Sequence, residues 1–237
     1  MNVKKRVKRI ALREVDSTNE YAKSLRAEGQ GVVEDTIITA KRQTAGRGTK
    51  GRSFSSGKGG VYLTYLRVFE DFAAKRAFEI MASAAVAVCK TLESFGLSPV
   101  IKWANDVHVN GKKISGILTE NTFSGDRVQN SVVGIGLNVN NALETELQGI
   151  ATTMREAIGK RLCLRKVTKR LMENLQAPFV MEDYLSRLGY MGRRVELVFG
   201  DERVPATLLF VDNEGVLTVE INGEERRFSA AEISVIL

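Results

Sequence analysis

At 237 residues, 43% of them hydrophobic and 27% charged, the chain has the composition of an ordinary globular protein, long enough for one large core with a small satellite domain. Lys and Arg number 35 against 28 Asp and Glu, a formal charge of +7 that favours anionic partners such as nucleotides or an acidic protein without specifying nucleic acid. Two distant cysteines and a single histidine exclude a disulfide framework and a zinc site and point to a reducing cytoplasm, and no stretch is long and apolar enough for a signal peptide or a membrane span.

The basic start, with Lys4-Lys5-Arg6 and Lys8-Arg9, leads into a predicted strand from Arg9 to Val15. Ser17-Thr18-Asn19-Glu20 has the form of a capping box and opens a predicted helix through about Glu28. Val32 to Lys41 alternates as a strand, a glycine-rich stretch runs from Gln43 to Gly60, and Val61 to Val68 is a β-branched and aromatic strand. Ala74 to Phe95 places Phe78, Met81, Ala85, Val88 and Leu92 on one helical face, with Gly96 as its stop.

Asn110-Gly111 supplies the positive φ angles of a two-residue hairpin turn. Counting outward from it pairs Val109 with Lys112, His108 with Lys113, Asp106 with Ser115, Asn105 with Gly116 and Lys102 with Thr119, which makes neighbours of Lys-Trp-Ala-Asn-Asp and Lys-Ile-Ser-Gly-Ile-Leu. A second turn at Ser124-Gly125-Asp126 returns the chain into Gln129 to Val139, giving a three-strand meander. Thr152 to Leu188 reads as helical. From Gly192 onward short strands, broken at Gly200-Asp201, Asn213-Glu214-Gly215 and Asn222-Gly223, predict a small barrel, with a domain boundary near residues 189–192.

Three segments carry chemistry. Gln43 to Ser53 combines backbone freedom with Arg47, Lys50 and Arg52, which suits a loop that wraps an anion. It is not a P-loop, because Arg52 stands where that motif requires lysine and a strand, not a helix, is expected next. Gly134-Ile135-Gly136-Leu137-Asn138 begins like a dinucleotide fingerprint but lacks the third glycine, and it reads equally as a strand whose glycines admit a close neighbour or ligand. Lys102 and Lys113, with Asn105 and Asp106 between them, gather at the base of one hairpin, and Trp103 is either a core anchor or a stacking face for adenine.

In this order, Val15 to Asn19, Gln43 to Arg52, Lys102 to Asp106, Lys113 to Leu118 and Gly134 to Asn138 resemble the catalytic domain of biotin protein ligases, and the C-terminal strands resemble that family's small SH3-like barrel. The resemblance implies an α+β fold: a mixed sheet backed by helices over residues 1–189, then a barrel over 190–237. It implies that biotin and ATP, the latter with Mg²⁺, give biotinyl-5′-adenylate and pyrophosphate, and that the biotinyl group passes to a lysine of a biotin carboxyl carrier domain.

It further implies catalytic roles for Lys102, Lys113, Arg47 and Asp106. Biotin would be held by Ser17, Thr18, Asn19, Gln43 and Lys113, by Gly46, Arg47, Gly48 and Thr49 of the loop, and by Gly116, Ile117, Leu118, Gly134 and Gly136. ATP would be held by Arg47, Arg52, Lys102, Trp103, Asn105 and Asn138, with no metal-binding spacing motif. Ala104 departs from the family's proline, and Thr49 from an arginine common at that position. Ser17 lies close to residue 1, so the expectation is a monofunctional member without a DNA-binding head and without specific nucleic-acid binding, its state as monomer or homodimer open. A lipoate-type ligase or transferase is the nearest alternative, and a non-catalytic biotin-binding or nucleic-acid-binding protein the alternative from another class.

Overall fold

The computed structural model describes residues 7–27 and 34–236; the Lys4-Lys5-Arg6 cluster, the predicted helix end at Glu28 and the start of the strand at Val32 lie outside the described residues. A seven-stranded sheet organises the first part of the chain. In chain order its strands are β1 (Lys8–Leu12), β2 (Thr36–Ala40), β3 (Val61–Val68), β4 (Pro99–Lys102), β5 (Asp106–Val109), β6 (Lys112–Ser124) and β7 (Arg127–Leu137). Their spatial order is β1-β2-β3-β7-β6-β5-β4, and only β1 and β2 run parallel.

Strand alternation gives the two sheet faces different tasks. Ile37, Leu63, Tyr65, Ile117, Val133, Ile135 and Leu137 belong to the large core built with α2 (Ala77–Glu93). That helix is buried well beyond the single predicted face, Ile80, Ala84, Val86 and Cys89 being covered as well. On the other face, Ile38, Leu66 and Val132 form a small cluster with Ala22 of α1 (Thr18–Ala27). Beyond this cluster the same face carries Thr64, Gly116, Gly134 and Gly136, small residues that leave a hollow in front of the start of α1.

The hairpin differs from simple counting. Asn110 and Gly111 have φ of 52° and 76°, Val109 pairs with Lys112, and His108 pairs with Lys113. A bulge then inserts Ile114, so Val107 faces Ser115 and Asp106 faces Gly116. Lys102 does not pair with Thr119: residues 103–105 reverse the chain across a cis Trp103-Ala104 peptide, and Lys102 lies opposite Asp106 in a second hairpin. The meander of β5, β6 and β7 forms as expected.

The predicted helical tract from Thr152 to Leu188 is three short helices, α3 (Met154–Ile158), α4 (Leu164–Leu175) and α5 (Met181–Leu185). Gly159 stops α3 in a left-handed conformation, and Pro178 falls in the gap before α5. A five-stranded antiparallel sheet follows, with β8 (Arg194–Phe199), β9 (Glu202–Val211), β10 (Leu217–Ile221), β11 (Glu224–Phe228) and β12 (Ser234–Ile236) in the order β11-β10-β9-β8-β12. It meets the first sheet at Trp103, whose indole N–H donates to Gly215 O at 3.0 Å. Among the described residues no helix is long and apolar enough to cross a membrane.

Candidate active site

The hollow opens as a cleft between the start of α1, the glycine-rich loop and strands β6 and β7. Its floor is polar and closely hydrogen-bonded. Gln43 Oε1 accepts from the Thr18 backbone N–H at 2.8 Å and from the Thr18 hydroxyl at 2.9 Å. Gln43 Nε2 donates to Ser56 Oγ, which donates to Phe54 O. Thr64, fully buried, places its hydroxyl 2.8 Å from Thr18 Oγ1 and 2.7 Å from Asn19 Oδ1. The other end of that amide, Asn19 Nδ2, donates to Glu120 Oε2 at 3.0 Å.

Two glycines are required by these contacts. A Cβ on Gly134 would lie 2.3 Å from Asn19 Oδ1, and one on Gly136 would lie 2.3 Å from the Phe54 ring. Any side chain at either position would displace the floor or the aromatic wall.

The mouth of the cleft is cationic. Lys113 Nζ pairs with Asp106 Oδ1 at 2.7 Å. Lys102 has its pKa lowered, first by burial; Asp106 opposes the shift, while Lys113 and Arg52 add to it. Arg47 pairs with Glu20 of α1 at 2.8 Å, and Glu20 also pairs with Lys23. Residues 46–54 fold back on themselves, Gly48 N–H donating to Arg52 O and Phe54 N–H to Gly46 O, with a short 3-10 turn at Thr49–Gly51. From this turn Lys50 and Arg52 reach the second sheet, at 3.1 and 3.4 Å from Ser234 Oγ. The site therefore combines a buried hydrogen-bonding floor, an aromatic wall and cations at the opening, which suits a carboxylic acid with a polar head and a phosphate approaching its carboxylate.

Residues 11–138 match the biotin/lipoate A/B protein ligase family. The chain belongs to this family. It is 34% identical to the bifunctional ligase/repressor BirA of Bacillus subtilis over 220 residues, 85% of this chain and 66% of that protein, and so spans about two thirds of that relative's length. It is 29% identical to the biotin–[acetyl-CoA-carboxylase] ligase of Mycobacterium tuberculosis, over 88% of this chain and 82% of that protein. The biotin protein ligase from Aquifex aeolicus, solved in complex with biotin and ATP, superposes with a TM-score of 0.73 at 31% identity, covering 96% of this chain and 98% of that one.

Most of the residues singled out from the sequence as ligase site residues line this one cleft. Ser17, Thr18, Asn19 and Gln43 form one end, Arg47, Gly48 and Thr49 the loop side, and Asn105, Asp106 and Lys113 the hairpin side. Gly116, Ile117, Leu118, Gly134 and Gly136 come from β6 and β7. Five others stand off the cleft wall: Gly46, Arg52, Lys102, Trp103 and Asn138. Trp103 is 6% exposed, with its indole N–H bonded to Gly215 O. Asn138 is buried, with its Oδ1 accepting from Asn141 Nδ2 at 3.1 Å. Glu20 does not complete the capping box; its carboxylate goes to Lys23 and Arg47. Phe54, Ile135, Thr64 and Glu120 were missed. Phe54 directly follows the loop from Gln43 to Ser53 and Ile135 lies within the Gly134–Asn138 segment, whereas Thr64 and Glu120 are unremarkable in their own segments and are brought to the site only by the pairing of distant strands.

Proposed function

We propose that the chain is a biotin protein ligase that adenylates biotin with ATP and transfers the biotinyl group to a lysine of a carrier domain. The observation that carries the proposal is the cleft itself: one end closes on Thr18, Asn19 and Gln43, and the other opens on Lys113, Asp106 and Arg47. A cyclic urea has both N–H donors and a carbonyl acceptor for such a floor. The dithiolane of lipoate has neither, and would leave the floor's polar atoms desolvated and unpaired.

In the first half-reaction a biotin carboxylate oxygen attacks the α-phosphorus of ATP, and the bond to pyrophosphate breaks. Both reactants are anions, so the cations at the mouth lower the cost of their approach. Lys113 is the near cation, with Lys102, Arg47 and Arg52 completing the positive field. Mg²⁺ arrives with the nucleotide. In the second half-reaction the carrier's lysine amine attacks the activated carbonyl and AMP leaves. Asp106, at the mouth and facing Gly116, is the carboxylate available to orient that amine. Holding both reactants in one cleft gives effective molarities on the order of 10⁵ M or more.

The division into a catalytic unit of residues 1–189 and a barrel of 190–237 belongs to the same reading, supported by the change from the mixed sheet to a separate antiparallel one. A reducing cytoplasm is supported by two cysteines, both unpaired. The acceptor is inferred to be a carboxylase carrier domain, as in the name of the mycobacterial relative. Pyrophosphate release with biotin, with lipoate and with no acid, followed by transfer of labelled biotin to a purified carrier domain, tests the proposal. Release that requires biotin supports it; release with lipoate alone overturns it.

A further inference from the structure

We propose that Thr64 and Glu120, which stand behind the cleft wall, are positioning residues that fix the proton pattern of its floor, so that Thr18 Oγ1 and Asn19 Oδ1 face the ligand as acceptors. The inference rests on the ligase reading and adds to it the feature that selects an acid whose head carries N–H groups.

The argument begins with groups whose polarity is not adjustable. A backbone N–H can only donate, so the Thr18 N–H at 2.8 Å identifies the Gln43 atom facing it as Oε1. The Thr18 hydroxyl, 2.9 Å from the same oxygen, then gives its proton to Gln43. A carboxylate can only accept, so Glu120, 3.0 Å from the Asn19 amide, turns Nδ2 toward itself and Oδ1 toward Thr64. Lys23 supports this arrangement by pairing with both Glu120 and Glu20. Burial opposes the Lys23 charge, but the hydrogen bonds to Glu120 and Glu20 outweigh it and raise its pKa. Lys23 thus lies against the same carboxylate whose Oε2 accepts from Asn19.

Between these fixed ends lies one proton. The Thr64 hydroxyl is within 2.8 Å of Thr18 Oγ1 and 2.7 Å of Asn19 Oδ1, and both oxygens need a donor. That hydroxyl has one proton, which goes to one of the two oxygens at a time or is shared between them in a three-centre bond. Thr18 has given its proton to Gln43 and Asn19 Oδ1 carries none, so toward a ligand both oxygens are acceptors. The matching ligand atoms are donors, which a cyclic urea provides and a dithiolane or an alkyl chain does not. Thr64 is fully buried on the interior strand β3, away from bulk water.

Thr64→Val keeps the shape and removes the shared proton; Thr64→Ser keeps the proton; Glu120→Gln keeps the size and removes the obligate acceptor, freeing the Asn19 amide to rotate. Equilibrium binding of biotin, lipoate and ATP to the three variants and the wild type, with kcat and KM where turnover is present, reads the relay. Thr64→Val is expected to weaken biotin binding by roughly 10-fold or more, the scale of losing the donor to buried acceptors. ATP binding and kcat at saturating biotin should stay unchanged, Thr64→Ser should restore biotin binding, and Glu120→Gln should narrow the preference for biotin over lipoate. Unchanged biotin binding in Thr64→Val, an equal loss in Thr64→Ser, or a parallel loss of ATP binding would each overturn the relay. Weakened biotin binding in Thr64→Val supports it even if the wild type releases no pyrophosphate, an outcome that would overturn only the ligase reading.

Discussion

Lys113 and Arg52 are both cations of the same field, yet they occupy different ground. Lys113 lines the cleft and pairs with Asp106, whereas Arg52 stands off the wall beside Ser234. Lys113→Ala should therefore raise the KM for biotin and Arg52→Ala the KM for ATP, each by roughly 10- to 150-fold if one charge-assisted hydrogen bond of about 1.5–3 kcal/mol is lost. Separate biotin and ATP titrations check this. A shift of the same KM by both variants would show that the roles are not divided. Thr49 lies in the turn that borders the cleft, where the family resemblance expects an arginine. Lys50 or Lys58 is the alternative source of that charge; here the Lys50 ammonium reaches Ser234. Thr49→Arg should slow the escape of preformed biotinyl-adenylate after rapid dilution, since a guanidinium there adds a fork that ties the loop over the anion. Equal release rates would show that threonine suffices.

At the scale of elements, the β5–β6 hairpin carries Lys113 and lies beside Lys102 at the end of β4. His108 on β5 is 5% exposed, with Nδ1 3.0 Å from the Tyr190 hydroxyl. Burial pushes its pKa down to about 4; Lys102 and Lys113 add to the shift, and Asp106 and the Gly111 backbone oppose it. The native state thus holds a neutral ring with Nδ1 hydrogen-bonded to the Tyr190 hydroxyl. The unfolded chain takes up a proton near the ordinary value of about 6.5 while the folded chain does not. Stability from this group is present above pH 6.5 and is lost as pH falls toward 4, at most roughly 1.4 kcal/mol per pH unit. The fall in unfolding free energy from pH 7 to pH 5, followed by urea titration, should be shallower in His108→Gln. Parallel curves for the two proteins would exclude His108 as the source.

At the scale of the whole molecule, the second sheet shares one hydrophobic core with the first, and hydrogen bonds tie it to the rest of the chain. One is the Trp103 N–H on Gly215 O, and others reach Ser234 from Lys50 and Arg52 of the glycine-rich loop. The first is buried and lies in the turn that precedes Asp106, so it positions the hairpin as well as the sheet. Trp103→Phe keeps most of the packing and leaves the Gly215 carbonyl without its donor, a loss of about 1–3 kcal/mol. The urea midpoint should fall accordingly, and the KM for ATP should rise if the turn carries Lys102 into place. A variant with wild-type stability would show that the indole N–H contributes nothing at this junction.

The features that the sequence determined by itself are those with a local cause. Asn110-Gly111 turns because those two residues adopt positive φ readily, and Val61 to Val68 is a strand because its β-branched and aromatic residues suit a buried pleat. Ser17-Thr18-Asn19, the loop from Gln43 to Arg52 and the lysines of the hairpin were legible because their residue types and order are uncommon together. The tertiary structure decided what depends on register across distant strands. The Ile114 bulge moved Asp106 opposite Gly116, a one-residue choice that hairpin counting cannot foresee. The Trp103 indole N–H found its acceptor in a carbonyl 112 residues away. Thr64 and Glu120 meet Asn19 across separations of 45 and 101 residues, and their local sequence gives no reason to single them out. Thr64 is fully buried, where a donor or acceptor must find its partner in the protein or in the ligand, whereas Glu120 is part-exposed and acts through its hold on the Asn19 amide.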